Sequence, residues 1–173
     1  MTIQKIIFRA DGNSKIGFGH ISRCLALGEL LSKDHYTCFA IQEPNQDLID
    51  NLKKVVDEVV VLAHAERSPA FLTELDSYMT GNEIVVLDGY HFDTAYEENV
   101  KKQALATVSI DDIPSRHFVS DVIFNFCGSL TSNDYSKEFY TQLFTGFEFV
   151  FLRQPFLRDP GLNKKFKIGR AHV

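Results

Sequence analysis

The sequence predicts an α/β protein with a Rossmann-like, largely parallel β-sheet. Short apolar runs alternate along the chain with segments of helical spacing, and this order is typical of stacked βαβ units. One run, at 84–87, has no polar alternation, as expected for a central strand that is covered on both faces. With 173 residues, of which 45% are hydrophobic, the chain can bury the core of one globular domain.

Each element is predicted from the local pattern of its segment. The run at 3–8 is short, apolar and β-branched, so it predicts a buried first strand. The first helix is predicted from apolar or small residues that recur at helical spacing, namely Ile21, Cys24, Leu25, Gly28 and Leu31. The remaining patterns predict strands at 36–41, 58–62, 84–87, 106–110, 122–126 and 149–152, and helices at 46–55, 70–79, 95–105 and 136–143.

The end of the chain predicts a domain boundary. Two proline-containing segments at 153–156 and 158–161 are typical of a linker, and a basic tail without a regular pattern follows them. We therefore expect a Rossmann-like domain over 1–152. An interdomain linker and the start of a second domain are expected over 153–167. Residues 168–173 match one reading frame of a common sequencing adapter and are expected to be foreign to the protein.

Composition and charge disfavour several classes of function. A formal net charge of −5 argues against general nucleic-acid binding, which needs clustered lysine and arginine. No apolar run approaches a membrane span and no signal peptide is recognisable, so we expect a cytoplasmic protein with no membrane partner. Cys24, Cys38 and Cys127 lack metal-site spacing and lie in apolar segments, which predicts reduced thiols in the core.

A loop that contains glycine joins the first strand to the first helix. Gly17 and Gly19 permit positive φ angles and close backbone approach, so amides at the start of the helix can meet a ligand oxygen. The loop is not a dinucleotide fingerprint, because Ser22 stands where a third glycine is required, and the chain has no P-loop motif. A plain tight turn between strand and helix is the alternative interpretation.

His20 is predicted to lie at the start of this helix, beside the edge where open α/β sheets bind ligands. The positive end of the helix dipole favours the neutral imidazole, whose lone pair can accept a proton, so His20 is a candidate general base. Arg23 lies about one turn later and is placed to hold an anionic or hydroxyl-rich group. A capping or packed histidine and a solvated arginine are the alternatives.

A second polar cluster follows the central strand at 88–93. Asp88 falls at the same edge of the sheet as His20, and Gly89 allows a sharp turn that presents Tyr90 outward. A tyrosine in that position can stack on a sugar face and donate a hydrogen bond. An Asx-turn or helix cap for Asp88 and a packed rim position for Tyr90 remain open as alternatives.

A metal site is an alternative interpretation of the polar residues at this edge of the sheet. Asp111 and Asp112 end a further strand there, which brings the acidic strand ends at this edge to three. Together with His20 and His91, these strand ends could supply ligands. No HxH or HExxH spacing supports such a site, and aspartates at strand ends commonly cap the helix that follows. We therefore expect no metal and no other cofactor.

Together, these motifs are similar to those of a known enzyme family. The chain resembles the nucleotide-sugar hydrolases of pseudaminic acid biosynthesis, the PseG-type family, which remove UDP from UDP-2,4-diacetamido-2,4,6-trideoxy-β-L-altropyranose. The resemblance extends from Ile3 to about Phe156, and the ordered set of motifs is more specific than any single one. It rests on RAD at 9–11, IGFGHISRCL at 16–25, DGYHFD at 88–93, IDD at 110–112 and FLRQPF at 151–156.

The resemblance implies a fold, a mechanism and a ligand. These hydrolases are similar to GT-B glycosyltransferases, in which two Rossmann-like domains face each other across a cleft, and the chain would be the amino-terminal half. His20 would activate water without a metal, and UDP would leave with inversion at the anomeric carbon. The partner would be a small-molecule UDP-sugar, bound by a monomer. The expected substrate contacts are Asp11, Gly17, Gly19, Arg23, Asp88 and Tyr90.

Two other functions remain open at the level of sequence. A glycosyltransferase of GT-B type would use the same architecture to pass the sugar to an acceptor rather than to water. A non-catalytic binding module would hold a nucleotide sugar without turning it over. The released product and the presence of turnover distinguish these functions from hydrolysis.

Overall fold

The structure is a computed structural model that describes residues 3–13, 17–63, 68 and 70–153. Its strands are β1 Lys5–Ala10, β2 Tyr36–Gln42, β3 Glu58–Leu62, β4 Ile84–Asp88, β5 Ala106–Ile110, β6 His117–Phe118, β7 Val122–Asn125, β8 Ser136–Lys137 and β9 Gln142–Thr145. Its helices are α1 Gly19–Leu31, α2 Gln46–Leu52 and α3 Thr94–Gln103.

Seven of these strands form one parallel sheet in the order β3-β2-β1-β4-β5-β7-β9. The strands β6 and β8 pair in a separate small sheet. From β1 the chain runs outward to β2 and β3, and from β4 it runs outward on the opposite side to β5. The prediction of a Rossmann-like parallel sheet is confirmed. The order of strands also reverses between β1 and β4, which is where such sheets bind ligands.

Apolar side chains cover both faces of this sheet. On one face, Phe8 of β1 packs in a cluster with Ile21 and Leu25 of α1. On the other face, Leu87 of β4 packs in a cluster with Tyr96 of α3. Because β4 contributes to both clusters and is almost wholly buried, it is the central strand that its unbroken apolar run predicts.

The helices begin in two different ways. The side chain of Asn45 accepts a hydrogen bond from the Leu48 amide at the start of α2, and Asp93 accepts one from the Tyr96 amide at the start of α3. These caps satisfy amides that a helix leaves open in its first turn. In contrast, α1 begins after Phe18, whose side chain forms no capping hydrogen bond. The contact between amides at the start of α1 and a ligand oxygen stays a prediction.

The predicted helix at 70–79 is wrong. This segment forms two 3₁₀ turns, Phe71–Thr73 and Asp76–Tyr78. The side-chain amide of Asn99 donates a hydrogen bond to the carbonyl of Leu72, at 2.6 Å. An α-helix would need that carbonyl for the amide of Asp76, so the contact from α3 competes with a continuous helix.

Two predictions at the end of the sheet are also wrong. The segment 136–143 contains β8 and the start of β9 instead of a helix. The segment 149–152 begins with the last residue of a 3₁₀ turn, Phe147–Phe149, and does not form a strand. Gly146 has a φ of 124°, which favours glycine and ends β9. Phe151 then packs on Phe124 of β7, so this part of the chain covers the sheet instead of extending it.

The prediction that the cysteines are reduced thiols in the core is confirmed for two of the three. Cys24 and Cys38 are buried free thiols, as predicted. Cys127 is free but exposed, so its predicted place in the core is wrong. The reason is that β7 ends at Asn125, and Cys127 lies in the loop beyond the strand.

The predicted boundaries beyond the sheet remain predictions. Arg153 is the last described residue, so the rest of the expected linker over 153–167 and the expected adapter sequence at 168–173 lie outside the described residues. Among the helices that are described, none has both the length and the apolar character to cross a bilayer.

Candidate active site

The candidate site lies at the carboxyl edge of the sheet, where β1 and β4 are neighbours. His20 is in the first turn of α1, which follows β1, and Asp88 is the last residue of β4. Tyr90 and Asp112 lie in the loops that follow β4 and β5. The fold therefore brings together residues that the sequence places on separate strand ends, at the point where the strand order reverses.

The imidazole of His20 contacts the buried carboxylate of Asp88 through Nδ1. The relative exposure of His20 is 8% and that of Asp88 is 0%. His20 Nδ1 lies 2.7 Å from Asp88 Oδ1 and 2.9 Å from Arg23 Nη2. Arg23 Nη2 itself donates a hydrogen bond to Asp88 Oδ1 at 2.7 Å. One carboxylate oxygen is thus shared by the imidazole and the guanidinium.

The two contacts of Nδ1 favour different tautomers of the neutral imidazole, because the carboxylate oxygen accepts a hydrogen whereas the guanidinium nitrogen can only donate one. The carboxylate decides between them, since it is the shorter contact and Arg23 Nη2 already donates to Asp88 Oδ1. A hydrogen on Nδ1 would be donated to the carboxylate, which also accepts from Arg23. A lone pair on Nδ1 would instead face an anionic oxygen only 2.7 Å away, which is repulsive. We therefore assign the hydrogen to Nδ1 and the lone pair to Nε2. No described residue forms a hydrogen bond with Nε2 of His20.

Arg23 joins two carboxylates. Its Nε donates to Asp88 Oδ2 at 2.9 Å, and its Nη1 donates to Asp112 Oδ2 at 3.0 Å. Burial lowers the pKa of Arg23, but the hydrogen bonds and charges of Asp88 and Asp112 outweigh it and raise the pKa. The guanidinium is therefore held in a fixed plane. The predicted contact of Arg23 with substrate stays a prediction, as does that of Asp88, whose two oxygens face His20 and Arg23.

Tyr90 packs against the ring of His20. The ring centroids are 4.8 Å apart and the planes meet at 83°, an edge-to-face arrangement. The Tyr90 hydroxyl donates a hydrogen bond to Asp112 Oδ1 at 2.8 Å. The preceding position is crowded, because a Cβ on Gly89 would lie 2.8 Å from His91 Cε1 and 2.9 Å from Phe92 Cε2, so a larger residue would have to displace these rings. Tyr90 is exposed, as the turn predicts, and its contact with a sugar stays a prediction.

The two aspartates after β5 differ in their electrostatics. Burial raises the pKa of Asp111, which accepts a hydrogen bond from the hydroxyl of Tyr135. Burial also raises the pKa of Asp112, but hydrogen bonds from Tyr90 and Arg23 outweigh it and lower the pKa. The surroundings therefore favour the negative charge on Asp112 and disfavour it on Asp111. The sequence placed both residues at this edge but did not select Asp112 as a site residue.

The glycine loop has the backbone geometry that its sequence permits. Gly17 has a φ of 80°, in the left-handed region, and its amide donates to the carbonyl of Asn13 at 2.8 Å. Gly19 is the first residue of α1 and is not among the glycines of positive φ. Contacts of Gly17 and Gly19 with a substrate stay predictions.

We expect alanine to have opposite effects at these two glycines. A Cβ would meet nothing within 4 Å at either position. Gly17→Ala should nevertheless lower the free energy of unfolding by about 1–2 kcal/mol, because a left-handed φ strains an L-residue. Gly19→Ala should leave it unchanged or raise it by up to about 1 kcal/mol, because alanine favours the helix. Chemical denaturation measures both, and equal effects would contradict the argument.

Asp11 is paired with buried polar groups at the end of β1. Its Oδ1 accepts a hydrogen bond from the Gln42 amide at 2.8 Å and lies 2.7 Å from Arg9 Nη1. Its Oδ2 lies 3.0 Å from His91 Nε2. Burial raises the pKa of Asp11, but His91 and Arg9 outweigh it and lower the pKa to about 2. Asp11 therefore links β1 to the loop after β4, and its predicted contact with substrate stays a prediction.

Sequence reasoning missed a buried charge cluster beside Asp11. Arg9 is fully buried, and its Nε donates to Glu74 Oε1 at 2.7 Å. The hydroxyl of Tyr96 donates to the same oxygen at 2.8 Å, and Gln42 Nε2 donates to Glu74 Oε2 at 2.5 Å. The sequence does contain a signal for this cluster. Arg9 lies near the end of an otherwise apolar strand, and a buried charge needs a partner.

Two further observations bear on ligand binding. A cavity of about 530 Å³ lies between α1, α2 and Arg153. Phe18, which precedes α1, lines it together with Ile21, Ser22 and Leu25 of α1, whereas His20 does not. The candidate site is therefore separate from this cavity. Within the described parts of the chain, no three or more histidine, cysteine, aspartate or glutamate side chains are grouped so that they could hold a metal ion.

The chain is similar to a curated hydrolase over most of its length. It is 26% identical over 168 residues to the UDP-2,4-diacetamido-2,4,6-trideoxy-beta-L-altropyranose hydrolase of Campylobacter jejuni. The resemblance to this family is confirmed. The aligned region covers 94% of this chain and 57% of the Campylobacter protein, so the chain spans a little more than half the length of that relative. No protein-family model matches the chain.

Proposed function

We propose that this chain carries the catalytic base of a hydrolase that removes UDP from a UDP-linked 2,4-diacetamido-2,4,6-trideoxy sugar, in pseudaminic acid biosynthesis. The observation that supports this most is the geometry of His20, whose Nδ1 faces Asp88 while Nε2 has no described partner. A neutral imidazole in this arrangement suits proton abstraction from water. The similarity to the Campylobacter hydrolase supplies the class of substrate.

In the proposed reaction, the oxygen of a water molecule attacks the anomeric carbon while Nε2 of His20 takes the water proton. The bond from the anomeric carbon to the phosphate oxygen breaks, and its electron pair leaves with UDP. Attack from the side opposite the leaving group inverts the configuration of the anomeric carbon. Asp88 stabilises the imidazolium that forms, as a buried carboxylate does in other histidine-based sites.

The departing diphosphate requires positive groups or open amides around it. The start of α1, where the side chain of Phe18 forms no cap, would offer such amides at Gly19, and Gly17 would let a ligand approach the backbone closely. We propose that a second Rossmann-like domain holds most of the UDP, because the family resemblance implies a two-domain GT-B architecture. The chain alone would then be inactive, since one wall of the cleft would be missing.

The products formed test this proposal. In the protein that joins this chain to a second domain, the UDP-linked diacetamido sugar should yield UDP and a free reducing sugar in equal amounts, also in EDTA. Mass spectrometry and UDP quantification measure both products. Sugar transfer to an acceptor would identify a glycosyltransferase, and binding without turnover would identify a binding module. Loss of UDP release in EDTA would contradict a reaction without metal.

A further inference from the structure

The polar side chains of the site form a closed ring of contacts. Asp88 holds His20 and Arg23, and Arg23 donates to Asp112. Asp112 accepts a hydrogen bond from the hydroxyl of Tyr90, and the ring of Tyr90 packs edge-to-face against His20. Asp112 is thus the residue that connects the guanidinium to the tyrosine, although it forms no hydrogen bond with His20 or Asp88.

Tyr90 depends on Asp112 for its place in this ring. The side chain is 60% exposed and lies in the loop between β4 and α3, so packing alone selects its rotamer weakly. Within the described part of the chain, Asp112 is the hydroxyl's only hydrogen-bond partner. The exposed ring of Tyr90 therefore keeps its position across the imidazole of His20 only while its hydroxyl is bonded to Asp112.

We propose that Asp112 is a positioning residue that holds Tyr90 across the imidazole of His20 and directs the phenol hydrogen away from the crevice. This inference rests on the proposed function, because it assigns Asp112 a part in the same reaction. With the hydrogen donated to Asp112 Oδ1, the phenol oxygen presents only lone pairs to the water or sugar beside Nε2.

The charges of the ring support this arrangement. Arg23 donates to the second oxygen of Asp112 at 3.0 Å, so the carboxylate is paired on one side and accepts the phenol hydrogen on the other. The pKa of Tyr90 is raised, first by burial and then by its hydrogen bond to Asp112. The phenol therefore keeps its hydrogen, and Asp112 keeps its negative charge.

A spectroscopic test follows the position of Tyr90 directly. In the two-domain protein with labelled histidine and tyrosine, nuclear Overhauser contacts between the rings of Tyr90 and His20 should be strong. Asp112→Ala should abolish them, and Asp112→Asn, whose amide oxygen can still accept the phenol hydrogen, should retain part of them. Asp50→Ala, which removes an exposed carboxylate from α2, is the matched control and should leave them unchanged.

Kinetics test whether this position matters for the reaction. Asp112→Ala should lower kcat/KM for UDP release by about 10- to 100-fold, the value of a hydrogen bond to a charged group. Tyr90→Phe should lower kcat/KM as well, because it also removes the hydrogen bond to Asp112. The double variant should be little worse than the poorer single variant, because the two residues act through one contact.

The results separate this inference from the proposed function. Loss of the ring contacts together with non-additive kinetic effects would support Asp112 as a positioning residue. Ring contacts that persist in Asp112→Ala, or activity equal to wild type without them, would overturn it. If the unmodified protein releases no UDP, the proposed function fails, and persistence or loss of the ring contacts still decides whether Asp112 holds Tyr90.

Discussion

Replacing His20 with asparagine is expected to lower kcat/KM for UDP release by about 10²- to 10⁴-fold, the usual contribution of general-base catalysis. Asparagine keeps a group that can donate a hydrogen bond to Asp88, so the buried carboxylate stays partnered. It lacks a basic nitrogen at the position of Nε2, so water is no longer deprotonated. His20→Ala should be at least as inactive, and thermal unfolding should show that both variants remain folded.

His35→Asn is the matched control for this substitution. His35 lies between α1 and β2, at the amino edge of the sheet and therefore opposite the candidate site. The same chemical change there should leave kcat/KM unchanged. UDP release near the wild-type rate in His20→Asn would place the base elsewhere and remove the main support for the proposed mechanism.

Local patterns predicted the first strands well because those strands are short apolar runs bounded by polar residues or glycine. The prediction at 58–62 coincides with β3, and the prediction at 36–41 falls one residue short of β2. The errors lie where distant residues decide the structure. Asn99 of α3 takes the carbonyl that a helix over 70–79 would need, and β9 forms because β7 offers an edge to pair with.

The sequence predicted only the location of the site, at the carboxyl edge of the sheet, and not the contacts within it. The carboxyl ends of parallel strands meet at one edge, so residues after β1, β4 and β5 had to be close to one another. Which of them touch is a matter of side-chain packing. Asp88 is 68 positions from His20 and Asp112 is 89 from Arg23, separations that no local spacing rule reaches. The sequence therefore pointed to Asp88 as a substrate contact without revealing its place behind His20.

Asp88→Asn is the second substitution with a large expected effect, because both oxygens of this buried carboxylate accept hydrogen bonds. In one orientation the NH₂ group of the new side chain replaces Asp88 Oδ2. It then faces Arg23 Nε, which is also a donor, so this hydrogen bond is lost. In the other orientation it faces His20 Nδ1 and favours the tautomer with the hydrogen on Nε2, which blocks the base. Since each orientation loses at least one wild-type contact, we expect kcat to fall by about 10²- to 10⁴-fold.

The division between kcat and KM distinguishes a positioning role of Asp88 from a substrate contact. A lost substrate contact raises KM, whereas a misplaced base lowers kcat with KM little changed. The ¹⁵N shifts of the His20 ring report the tautomer independently of activity. Asp57→Asn is the matched control, because Asp57 also accepts two hydrogen bonds, from Thr37 at the amino edge of the sheet. A higher KM with unchanged kcat and tautomer would show that Asp88 acts on the substrate instead of on His20.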